Sequence, residues 1–265
     1  MDCTFASDNT SGVHPKVMEA LNKANVGAAE PYGDDPWTAE AEGCFKALFG
    51  DDVDVFLVPL GTGANVLGFN RMIRSWHSIL CSDMAHTHTS ESGAVEAVVG
   101  CKMTPIPSVH GKISAGALSA YLTDMGSPHH SQPGLVALTQ STEVATVYTP
   151  EEIKAIVDVA HANGLFVHMD GARIANAAVA LGCDVRSFTK DLGVDMMSFG
   201  GTKNGMMLNT TPVNIAIIKT TPIAIPIVLD CAFIYYTTSF FFIDTSSIIS
   251  YTIIDEKSNV LFLYK

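Results

Sequence analysis

Between Val53 and Phe199, short β-branched runs alternate with helical stretches. That rhythm admits few architectures besides an α/β domain with a mostly parallel sheet and helices on its faces. Strands are predicted at Val53–Val58, Ser78–Ser82, Lys102–Ile106, Leu135–Thr139, Leu165–Met169 and Val194–Phe199. Helices are predicted at Asn65–Ser75, at about Ser90–Val99 and across Ser114–Thr123. Thr149-Pro150-Glu151-Glu152 marks a further helix start, with threonine as cap, proline at the first position and a glutamate three residues after the cap. That helix should run to Asn163-Gly164, where glycine accepts a left-handed stop.

After about Leu208 the rhythm is lost, charges become rare, and Ile, Thr, Tyr, Phe and Ser dominate. The chain therefore divides into a domain over residues 1–208 and an apolar tail over 209–265. Pro226, Asp230 and Asp244 interrupt the apolar stretch from Ile223 to Ile254, so Cys231–Ile243 is its longest charge-free run. A membrane span needs about 20 apolar residues. β segments, or an added sequence not selected for packing here, fit the tail better than a transmembrane helix.

Charge narrows the partners. With 15 basic and 27 acidic side chains the formal net charge is −12, and the basic residues form no local cluster, so a nucleic-acid partner is not expected. The six cysteines (Cys3, Cys44, Cys81, Cys101, Cys183, Cys231) contain no C-x-x-C pair, which argues for a reducing compartment. Met1 to Asp8 lack the basic and apolar regions of a secretory signal, and a cytoplasmic location is expected.

Several residues at predicted strand ends could carry chemistry. Gly61-Thr62-Gly63-Ala64-Asn65 follows a strand and opens a helix, which presents backbone N–H groups to an anion or simply makes a tight connection. Asp170 leaves the strand ending at Met169 where open α/β sheets bind ligands, although it could equally cap the helix beginning near Arg173. Lys203 stands in a glycine-bracketed loop, as a surface lysine or as a desolvated nucleophile toward carbonyls. His86-Thr87-His88 lies just past a strand, where a flat imidazole could stack on a planar ligand. His129-His130 sits in a polar loop and reads locally as solvated surface; the histidine spacing matches no metal template.

Together these are the parts of a pyridoxal-phosphate site. A lysine forms an imine, an acid keeps the pyridine nitrogen protonated, and an arginine pairs bidentately with an amino acid's carboxylate. Ser7-Asp8-Asn9-Thr10, Pro31-Tyr32-Gly33-Asp34-Asp35-Pro36, Gly61-Thr62-Gly63-Ala64-Asn65, Asp170-Gly171-Ala172-Arg173 and Phe199-Gly200-Gly201-Thr202-Lys203-Asn204-Gly205 occur in that order. From Phe5 to Met207 the chain resembles the low-specificity threonine aldolases, within the pyridoxal-phosphate-dependent fold type I family that also holds β-eliminating lyases. The resemblance implies a three-layer α/β/α large domain. It implies Lys203 as the covalent anchor, Asp170 as the pyridinium partner and His86 stacked over the cofactor, with Gly61, Thr62, Gly63 and Thr202 around its phosphate. Ser7 and Arg173 would hold the substrate carboxylate, and His130 or His88 would lie near the β-hydroxyl. Tyr32 would reach in from a neighbouring subunit, which implies a homodimer or homotetramer. The implied reaction cleaves β-hydroxy-α-amino acids such as threonine into glycine and an aldehyde.

The family continues past the lysine into a small C-terminal domain that carries a second arginine for the substrate carboxylate. Here no arginine follows Arg186, and from about Asn209 the resemblance ends, so that domain is expected to be missing or replaced. Impaired activity is one expectation. The alternatives are a β-eliminating lyase with another amino-acid substrate and a non-catalytic truncated paralogue.

Overall fold

A computed structural model describes residues 7–10, 12–206, 214–219, 251–254 and 260–263. The predicted charge-free run Cys231–Ile243 lies outside the described residues. The chain forms two compact units, Met1–Val26 with Glu42–Thr220, and Gly27–Ala41 with Thr221–Lys265. Among the described residues no helix is long and apolar enough to cross a membrane.

In chain order the elements are α1 (Pro15–Ala24), α2 (Pro36–Phe49), β1 (Val53–Val58), α3 (Gly61–Met72), β2 (His77–Ser82), α4 (His86–Thr89), α5 (Ala94–Val99), β3 (Lys102–Ile106) and α6 (Ala115–Ala120). They continue with β4 (Gln132–Thr139), α7 (Pro150–Ala162), β5 (Phe166–Gly171), α8 (Ile174–Leu181), β6 (Met196–Gly200), β7 (Asn214–Lys219), β8 (Tyr251–Ile254) and β9 (Val260–Leu263). The first unit is built on a seven-stranded sheet of order β1-β7-β6-β5-β4-β2-β3. From β3 through β6 every pair is parallel, and β7 runs antiparallel to both β6 and β1. In the second unit β8 and β9 form an antiparallel pair.

Successive strand residues point to opposite faces, and both faces are apolar, as parallel strands covered by helices require. Leu80, Val136, Leu138, Val167, Met169 and Met197 pack with Ile153, Ile156, Val157 and Ala160 of α7. On the other face Ile79, Cys81, Leu135 and Ala137 pack with Val66 and Phe69 of α3 and Val95 and Val99 of α5. The start of α7 is the predicted one. Thr149 Oγ1 accepts from the Glu152 N–H at 3.3 Å, and Glu152 returns the bond to the Thr149 N–H at 2.8 Å.

The structure corrects three boundaries. Helix α3 begins at Gly61, not Asn65, because first-turn N–H groups need no intrahelical partner and glycine costs little there. The helix expected over Ser90–Val99 begins only at Ala94, as α5, since Ser92 (φ 55°) and Gly93 (φ 70°) are left-handed and cannot be part of a right-handed helix; the short α4 precedes the expected start. Strand β4 starts at Gln132, which pairs with His77. The sheet also reaches past residue 208: Asn214–Lys219 fills the slot between β1 and β6.

His168, on β5, is fully buried, and its ring meets Phe69 edge-on with centroids 4.6 Å apart. Among the described residues neither ring nitrogen finds a hydrogen-bond partner. Burial pushes its pKa down to about 4, against the opposing pull of the Asp170 carboxylate. In the unfolded chain the ring protonates near 6.5 while the folded ring stays neutral, so stability falls as pH drops from 6.5 toward 4, by about 3 kcal/mol. His168→Leu should therefore flatten the acid limb of a thermal-unfolding series over that window. A slope equal to the parent's would contradict a neutral buried imidazole.

Candidate active site

The strand register lines up one rim of the sheet. Thr139 faces Asp170, Asp170 faces Ser198, and Gly200 faces Asn214, which on its other side faces Val58. The connections leaving β1, β4, β5 and β6 therefore open on the same edge, the carboxyl edge where α/β sheets bind ligands.

Gly61, Thr62 and Gly63 form the first turn of α3. Its N-cap, Leu60, supplies no side-chain acceptor, so the first-turn N–H groups are left for something else. A Cβ added at Gly61 or Gly63 would meet nothing within 4 Å, so the space above this turn is open. Asp170 is 7% exposed and accepts from the Ala172 N–H at 2.9 Å. Its other oxygen takes a bond from Asn65 Nδ2 at 3.3 Å, and the same amide nitrogen donates to Glu91 Oε1 at 2.9 Å. Asn65 is 1% exposed and Glu91 5%.

His86 joins this cluster twice. Its Nδ1 lies 3.0 Å from Glu91 Oε1, and its backbone N–H donates to Glu143 Oε1 at 2.7 Å. Glu143 Oε1 also accepts from Thr139 Oγ1 at 2.9 Å. The bond to Glu91 holds the His86 pKa above the ordinary imidazole value; burial opposes it, Asp170 adds to it and Lys203 subtracts. Asp170 and Lys203 thus lie within electrostatic reach of one imidazole. Lys203 itself sits in the 3-10 turn Thr202–Asn204 directly after β6. That turn is held by a bond from the Asn204 side chain to the Gly200 carbonyl and by the His14 N–H, which donates to the Gly205 carbonyl at 2.9 Å.

Arg173 is engaged by a side chain that sequence reasoning gave no role. Its Nε and Nη2 donate to the two Asp8 carboxylate oxygens at 2.6 and 3.1 Å, a bidentate fork. Ser7, next to Asp8, is exposed and its Oγ accepts from the Asn9 N–H at 3.2 Å.

Two expected residues, His88 and His130, are not gathered with these. His88 is exposed on α4, two residues past His86 and so turned roughly 200° around the helix axis. His130 precedes the first residue of β4, which puts it at the opposite rim, where it pairs with Asp124 at 3.1 Å. Tyr32 belongs to the second unit, is left-handed (φ 66°) and is 63% exposed. In the other direction, Asn65, Glu91 and Glu143 enter the site without having been assigned a part. For Asn65 the signal available was an amide among the apolar Ala64, Val66 and Phe69 of one helix.

The Beta-eliminating lyase family matches residues 4–211. A low-specificity L-threonine aldolase of a Pseudomonas species is 43% identical over 203 residues, 76% of this chain, and one from Saccharomyces cerevisiae is 30% identical over 185 residues, 69% of this chain. The chain spans 59% and 47% of the lengths of those two relatives. The solved structure of Leishmania major threonine aldolase superposes with a TM-score of 0.74 at 30% identity, covering 81% of this chain and 62% of that one. A family match over most of the described sheet, with the Asp170 and Lys203 turns at its carboxyl edge, leaves one assignment: the chain belongs to the Beta-eliminating lyase family.

Proposed function

We propose that the chain binds pyridoxal phosphate at this rim, anchored by Lys203, and acts as a carbon–carbon lyase on threonine-like β-hydroxy-α-amino acids, releasing glycine and an aldehyde. The observation that carries the reading is one edge of the sheet bearing a buried carboxylate (Asp170), an uncapped helix N-terminus (α3) and a lysine turn (Thr202–Asn204). The donor set suits the cofactor: N–H groups for a phosphate, a carboxylate for a cationic ring nitrogen, an amine for an aldehyde and an imidazole for a flat ring.

When bound, the cofactor draws electron density away from the substrate Cα, a capacity that side chains lack. The chain's own residues bind and orient. Gly61, Thr62 and Gly63 with Thr202 take the phosphate, and Asp170 keeps the ring nitrogen protonated. His86 covers the ring face. Arg173 and Ser7 take the substrate carboxylate, which replaces Asp8 on the guanidinium fork. The β-hydroxyl proton requires a base, and His88 and His130 are the proposed candidates. Within one chain His130 lies at the far rim, so its part, like that of Tyr32, calls for a second copy and a homodimer or homotetramer.

The reaction would consume threonine and supply glycine, in a cytoplasm whose reducing conditions suit the free Cys44, Cys81, Cys101 and Cys183. Residues 1–208 with β7 would form the cofactor-binding large domain, and the rest of the 209–265 tail would stand in place of the small one. A non-catalytic role is the second reading, favoured by the Asp8 carboxylate that already occupies the Arg173 fork. Borohydride reduction of protein incubated with pyridoxal phosphate should label the peptide containing Lys203, and threonine should yield glycine and acetaldehyde. A label elsewhere would reject the anchor, ammonia with a keto acid would indicate β-elimination, and a Lys203 label without product would support the non-catalytic reading.

A further inference from the structure

The rim buries two carboxylates with one amide between them. An amide NH2 carries two protons, so Asn65 Nδ2 can serve Glu91 Oε1 at 2.9 Å and Asp170 Oδ2 at 3.3 Å at once. Glu91 Oε2 and Asn65 Oδ1 have no partner among the described residues. A buried carboxylate answered only by an amide is costly, and it lowers that cost by holding a cation. The group in hydrogen-bond contact with Glu91 that can become one is the His86 ring, at 3.0 Å.

We propose that Glu91 is a positioning residue that favours the imidazolium form of His86 and fixes its ring through Nδ1, while Asn65 ties the pair to Asp170. The ring that covers the cofactor and the carboxylate that meets its nitrogen are then set by one hydrogen-bonded unit. The meaning of that placement rests on the function proposed above; the charge state of His86 does not. Four charged groups act on or touch His86: Glu91 ahead of α5, Asp170 on β5, Lys203 after β6, and Glu143 after β4, which accepts the His86 backbone N–H. Three are carboxylates, so their sum favours the cation. In that state Nδ1–H is committed to Glu91 and Nε2–H remains a donor, so His86 cannot take the β-hydroxyl proton and another group must.

Histidine ring signals followed by NMR against pH in the full-length protein, before and after adding pyridoxal phosphate, test this, with the His86 signal assigned by its loss in His86→Gln. Its midpoint should lie above 6.5 in the parent and fall in Glu91→Gln, which keeps the shape of the side chain and removes its charge. A purely structural Glu91 would not move that midpoint. An unmoved midpoint in folded Glu91→Gln overturns the proposal. Should that variant fail to fold, a parent midpoint at or below 6.5 overturns it and a higher one supports it. Borohydride labelling of Lys203 is read separately, so the anchor can fail while the Glu91–His86 pair stands.

Discussion

Asp170→Asn should lower turnover of a β-hydroxy amino acid by about 10- to 100-fold while lowering the thermal midpoint by only a few degrees. The side chain keeps its size at the end of β5, so packing is not the cause. The loss comes from charge and donor direction. Asp170 accepts at both oxygens, from the Ala172 N–H and from Asn65 Nδ2. An asparagine offers one acceptor and one donor, so one of these contacts becomes donor against donor. More importantly, an amide cannot stabilise a protonated ring nitrogen as a carboxylate does, and a hydrogen bond to a charged group is worth about 1.5–3 kcal/mol, which is the rate factor expected. The His86 midpoint should fall in the same variant, because Asp170 is one of the charges raising it. A rate equal to the parent's would remove Asp170 as the ring-nitrogen partner.

The sequence exposed the scaffold of this site better than its wiring. β1 and β3 fall at the residues predicted, since each is a β-branched or apolar run closed by turn residues, and α7 starts where its capping box says. Helices α1 and α2 carried readable signals that the periodicity argument passed over: proline at the first position of each, with His14 and Asp35 accepting from first-turn N–H groups. The seat of β7 between β1 and β6 is a non-local pairing, which no local pattern announces. The same holds within the site. Glycine turns and charged residues after strands mark the rim, because a parallel strand delivers its C-terminal neighbour there, but the Asn65 bridge joins residues 26 and 105 positions apart in sequence. His130 shows the rule in reverse: a residue ahead of a parallel strand belongs to the other rim, and the predicted start of β4 already placed it ahead.

Gly200→Ala should lower the thermal midpoint by about 2–12 °C and release the cofactor with it. At Gly200 an added Cβ would lie 2.8 Å from both Cα and the carbonyl oxygen of Ala172, and at Gly171 it would lie 2.6 Å from the Ser198 carbonyl oxygen. Both neighbours are backbone, so relief requires the ends of β5 and β6 to part. Those ends carry Asp170 and the Lys203 turn, and a shift of a few tenths of an ångström there disturbs the geometry that chemistry at this rim needs. Overpacking of this kind costs about 1–3 kcal/mol, and each kcal/mol moves the midpoint of a domain this size by about 2–4 °C. Gly68→Ala is the control. Its Cβ would meet the Sδ and Cε of Met196, the far end of a flexible side chain that can turn aside, so a smaller fall is expected despite the closer approach. Melting curves followed by circular dichroism decide between them: equal losses for the two variants would mean that strand separation is not what Gly200 prevents.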